Sequence, residues 1–72
     1  MIKGNVVFTF RDGSCTRRLL GQNIVGLKKD GCRPKGVHFE ISACTADEAE
    51  MRKFCEWLST CRNALQPTSL EQ

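Results

Sequence analysis

One stretch of this 72-residue chain, Thr45 to Leu65, constrains the rest more than any other. Thr45 and Glu48 have the T-x-x-E spacing of a capping box, in which two side chains satisfy amides left open by a first helical turn. Met51, Phe54, Cys55, Leu58, Cys61 and Leu65 then recur at three- and four-residue steps, which places them on one face of a helix. Glu48, Glu50, Lys53 and Glu56 lie off that stripe. A helix this lopsided needs an apolar surface to cover, and the residues before it read as a small sheet that supplies one.

Residues 5–11 alternate as a half-buried strand, with Val6, Phe8 and Phe10 on one side. Asp12-Gly13 suits a two-residue type I′ turn, whose two centres both need positive φ. That turn sets Phe10 opposite Cys15, Phe8 opposite Arg17 and Val6 opposite Leu19. The predicted core face then shows Val6, Phe8, Phe10, Cys15 and Leu19, with Arg17 at its margin. The open face shows Val7, Thr9, Arg11, Ser14, Thr16 and Arg18. Residues 24–29 suggest a third strand, weakened by Gly26, and residues 30–36 read as a loop. Val37, Phe39, Ile41 and Ala43 alternate with His38, Glu40 and Ser42, the cleanest strand pattern in the chain. The expectation is a two-layer α+β domain over residues 1–66: a four-stranded antiparallel meander, β-β-β-β-α, with its C-terminal helix on one sheet face. Pro67 ends the helix, and residues 67–72 read as a flexible tail.

A single domain of this length buries only about 60% of its unfolded surface, so a dimer or a bound partner is a natural source of added stability. The longest early apolar run, Val6-Val7-Phe8, is far short of a signal-peptide core or a membrane span, and the expected location is the cytoplasm, with no membrane partner. Five cysteines cannot all pair within one chain, and without a secretory signal they are expected as thiols. Net charge is +3, unevenly spread: residues 1–36 carry eight cations and two carboxylates, whereas residues 37–72 carry three cations and six carboxylates. A basic sheet half and an acidic helix half either attract each other across the fold or point to an acidic partner.

The chemistry-bearing residues do not assemble into a reaction. Zinc would need Cys32, His38 and Cys44 with Cys55 or Cys61, yet His38 and the helix cysteines fall on opposite sides of the sheet, so no metal is expected. His38, Glu40 and Ser42 share a strand face at steps of roughly 6.6 Å, too long for a nucleophile–base relay. Arg33 and Lys35 favour a thiolate at Cys32, but no general base lies near it in sequence. Gly31 to Gly36 begins like a phosphate loop, but Val37-His38 stands where Lys-Ser/Thr is required. No catalytic residue and no cofactor are expected.

What remains is a surface. Arg11, Arg18, Lys28, Lys29, Arg33 and Lys35 are the expected partner-binding residues, steering the open sheet face and its loop toward an acidic protein or nucleoprotein. The reading is a small non-catalytic regulator, adaptor or inhibitor. Its alternative is direct nucleic-acid binding through the same cations, which the inward-facing Phe8, Phe10 and Phe39 make less well equipped for base stacking. The open face fits a homodimer equally well.

Overall fold

The alternation near the N-terminus becomes the central strand of a three-stranded antiparallel sheet. In the computed structural model, which describes residues 1–66, β1 spans Ile2–Thr9, β2 spans Cys15–Leu19, β3 spans Gly36–Cys44 and α1 spans Glu48–Ala64. The strand order is β2-β1-β3. The expected tail, residues 67–72, lies outside the described residues. The protein is thus a small α+β domain with one C-terminal helix, but the fourth strand and the simple meander are both absent among those residues.

Residues 24–29 explain the difference. After β2 the chain must cross β1 to reach its other edge, because β2 and β3 both run antiparallel to β1. The crossover, residues 20–35, passes over the helix-covered face and buries Ile24 to 3% exposure beside Val6, Phe8 and Cys61. Gly26 adopts φ +77° within it, a left-handed conformation foreign to a strand, and the Leu27 amide donates to the Ile24 carbonyl across the turn. A buried anchor, Ile24, with Leu27 packed against the same core, and a turn occupy the place where a strand was expected.

The first hairpin is one residue out of the expected register. Observed pairs are Val6–Arg18, Val7–Arg17, Phe8–Thr16 and Thr9–Cys15. The Phe10 amide bonds the Ser14 carbonyl and the Gly13 amide bonds the Phe10 carbonyl, so Arg11, Asp12 and Gly13 form a three-residue loop with Gly13 at φ +91°. The Asp12 carboxylate accepts from the backbone amide and hydroxyl of Ser14, at 2.9 and 2.6 Å, and stabilises this turn. One extra loop residue moves every β2 side chain to the other face. Cys15, Arg17 and Leu19 join the open side, while Thr16, Arg18 and Leu20 take the helix side. The two-residue turn with positive φ at both centres occurs at the second Asp-Gly instead: Asp30 and Gly31 have φ +53° and +76°, flanked by reciprocal Lys29–Cys32 backbone bonds.

The pairing of β1 with β3 follows the cleaner pattern. Val6 faces Phe39, Phe8 faces Val37, and Val7 faces His38. The register shifts between Lys3 and Gly4, and Gly4 sits there at φ +149° against β3. A Cβ on Gly4 would run into the Glu40 carbonyl oxygen, so only glycine fits.

The helix begins two residues later than the Thr45–Glu48 box implies. Asp47 is the N-cap: its carboxylate accepts from the Glu50 amide at 2.8 Å, and the Glu50 carboxylate accepts from the Asp47 amide at 3.4 Å. The box is therefore D-x-x-E. Its buried stripe is also rotated from the expected one. Cys61 is fully buried and Trp57, Ala64 and Leu65 pack on the core, whereas Met51 and Cys55 are exposed. Trp57 is anchored on both sides, with Nε1 donating to the Gln22 carbonyl at 2.9 Å and its ring edge-on to Phe39 at 6.2 Å between centroids.

Candidate functional site

Five of the six sequence-selected cations lie at one end of the molecule. There the 11–13 loop meets the end of the crossover and the C-terminus of α1. The Lys35 amide bonds the Thr9 carbonyl at 2.8 Å, and Lys29 Nζ lies 3.1 Å from the Asp12 carboxylate. Arg11, Asp12, Lys29 and Asp30 line a shallow recess of about 200 Å³ over Phe10. On the helix side, Arg33 donates to the Asn63 carbonyl at 3.3 Å and the Gln66 amide bonds the Pro34 carbonyl at 2.7 Å. A guanidinium on a last-turn carbonyl complements the negative end of the helix dipole. Lys28 and Arg33 then border a larger cleft, about 450 Å³, floored by Ile24, Leu27 and Ala64. Arg11, Lys28 and Lys35 make no ion pair among the described residues. Five cations gather with two carboxylates, Asp12 and Asp30.

Arg18 does not belong to this group. The register places it opposite Val6, on the helix side of β2, where its guanidinium folds back onto the Arg17 carbonyl at 3.3 Å. Arg11 likewise sits in the hairpin loop and not on the open sheet face. That face is not a basic platform. It carries Arg17, which grips Glu40 with two hydrogen bonds of 3.2 and 3.1 Å from the opposite side of β1. His38 Nε2 stands 3.6 Å from the same carboxylate. Val7, paired with Arg17 on one side and His38 on the other, is only 3% exposed although no second layer covers that face among the described residues. The Arg17 guanidinium, with a smaller contribution from His38, holds the Glu40 carboxyl below its ordinary value of 4.5. Sequence reasoning left this cluster out because the slipped register put Arg17 under the helix. No local spacing announces it, because Arg17 and Glu40, 23 residues apart, meet only once the crossover sets β3 on the other side of β1 from β2.

Asp12 is pulled well below the usual carboxylate range by its bonds to Ser14 and by Lys29, so it stays a fixed anion within the cationic end. Of the cysteines, Cys15, Cys32, Cys44 and Cys55 are exposed thiols and Cys61 is buried. Burial pushes the Cys61 thiol up. Among the described residues no three His, Cys, Asp or Glu side chains converge as metal ligands, and no helix is long and apolar enough to cross a membrane. His38 and Glu40 do meet, but Ser42 donates to the Lys3 carbonyl at 3.3 Å, away from them.

Comparison of the chain with protein-family models, with curated proteins and with solved structures finds no match. The class is therefore defined by the fold alone: a small two-layer α+β domain.

Proposed function

We propose that the protein is a small non-catalytic binding protein, a regulator, adaptor or inhibitor, that docks on an acidic protein or nucleoprotein surface in the cytoplasm. The observation that carries this reading is the cationic end, where Arg11 and Lys29 border one recess, Lys28 and Arg33 border another, and Lys35 is held beside them by its amide bond to Thr9. Cations beside apolar floor suit a protein interface, in which charge steers encounter and buried apolar contact holds the complex. Direct nucleic-acid binding is less well supported. Phe8 and Phe10 are buried and Phe39 is engaged with Trp57, so the cationic end lacks an exposed ring for base stacking.

The test is a tagged pull-down from native-host lysate at low salt, with and without nuclease, run in parallel with a Lys28→Glu/Lys35→Glu variant. The expected result is a partner that survives nuclease and is lost with the double reversal. Capture that vanishes with nuclease moves the assignment to nucleic acid. Capture indifferent to the reversal removes the cationic end from consideration. Arg18→Glu, away from that end, is the control that leaves capture unchanged.

A further inference from the structure

The outer edge of β3 is unpaired among the described residues, because β3 bonds only to β1. It is an edge of nine residues, Gly36–Cys44, regular from Gly36 to Ile41 before a bulge at Ser42, with no Lys, Arg or Pro to discourage pairing. The edge also carries an uncovered apolar side chain: Ile41, opposite Gly4 and on the same side of the sheet as Val37 and Phe39, is 51% exposed.

The sequence of this edge is complementary to itself. Two copies of β3 related by a two-fold axis at Phe39 pair antiparallel, with both helices on the same face. In that register each His38 faces the other copy's Glu40, and each Val37 faces the other copy's Ile41. Shifting the axis to Glu40 sets two carboxylates against each other, and shifting it to His38 sets two histidines together. Of these three, the Phe39-centred pairing alone joins unlike groups on the open face and apolar groups on the helix face. We infer that β3 is a dimerisation edge whose occupant is β3 of a second copy, giving a continuous six-stranded sheet centred on Phe39. This surface is separate from the cationic end, so it stands or falls independently of the docking proposed above.

The test is sedimentation equilibrium over a concentration series, with circular dichroism confirming that each variant is folded. The natural chain is expected at twice the monomer mass at the high end of the series. His38→Glu and Glu40→Lys each weaken the dimer by about tenfold, since each reversal acts at both symmetry-related pairs. The combined His38→Glu/Glu40→Lys chain restores it, because Glu at 38 then faces Lys at 40 across the axis. Ile41→Lys, at an exposed position, abolishes the dimer without touching the His38–Glu40 pairs. Monomer mass at every concentration overturns the inference. So does a dimer that ignores the single reversals, the swap and Ile41→Lys.

Discussion

The two edges of the sheet flank the same central strand and are finished in opposite ways. The β2 edge is five residues long, and side chains close its backbone: Arg18 donates to the Arg17 carbonyl, and Gln22 accepts from the Leu19 amide at 3.0 Å. Two adjacent arginines make that edge an unattractive template for another strand. The β3 edge is nine residues long, and among the described residues no side chain bonds its backbone. Open edges are a hazard that small proteins normally blunt. Among the described residues side chains close the backbone of one edge and leave the other open, a contrast that suits the pairing proposed for β3.

The contrast is broken most forcefully at Gly4, where β1 presses against β3. Gly4→Ala puts a Cβ against the Glu40 carbonyl at a backbone angle that alanine resists. The expected cost is about 2–4 kcal/mol in urea unfolding, which takes most of the stability such a small core supplies. On the β2 side, Gly13→Ala meets nothing within 4 Å and strains only its positive φ, for a loss of about 1 kcal/mol. Equal losses at the two glycines would mean that the β1–β3 seam is not the tighter one. At the turn that carries β3 into α1, Asp47→Ala removes a capping bond and lowers stability by about 1 kcal/mol, whereas Thr45→Ala leaves the melting curve nearly unchanged. The reverse order would restore the earlier helix start.

The smallest effect is expected at the strap joining the two edges. Arg17→Ala leaves the midpoint of unfolding almost where it was, because exposed ion pairs contribute little. Its signature is instead the Glu40 titration, followed by carboxyl NMR, which rises toward the ordinary value of 4.5. Since the folded carboxyl is depressed, its contribution is complete above 4.5 and fades as pH falls through the folded midpoint. A Glu40 titration unmoved by Arg17→Ala would show that the strap is not formed in solution.

Local pattern carried part of this fold and not the rest, for identifiable reasons. Val37 to Ala43 alternates without interruption, and β3 forms there with Val37 and Phe39 turned to the core. The Thr45–Leu65 periodicity announces a helix, but it does not say which part of a wide apolar arc is covered. Trp57 takes a central place that Met51 and Cys55 lose. The first hairpin fails on a single residue, because Asp-Gly serves equally in a two-residue turn and in a three-residue loop with a glycine bulge. Nothing local to Asp12-Gly13 or Asp30-Gly31 declares which is which. Ile24 misleads for another reason: one buried side chain under a helix looks, in sequence, like the start of a strand. The candidate surface inherits these errors. The loop cations Lys28, Lys29, Arg33 and Lys35 stay together because the chain itself keeps them close, whereas Arg18 leaves the group with the register.

Cys61 gives the molecule an internal clock. Four of the five thiols are exposed, and the fifth, 1% accessible, sits among Val6, Phe8 and Ile24 in the buried core between helix and sheet. A thiol reagent therefore labels the folded chain in two separable stages. The mass gained in the first reports the surface, and the delay before the last adduct measures how often α1 lifts from the sheet.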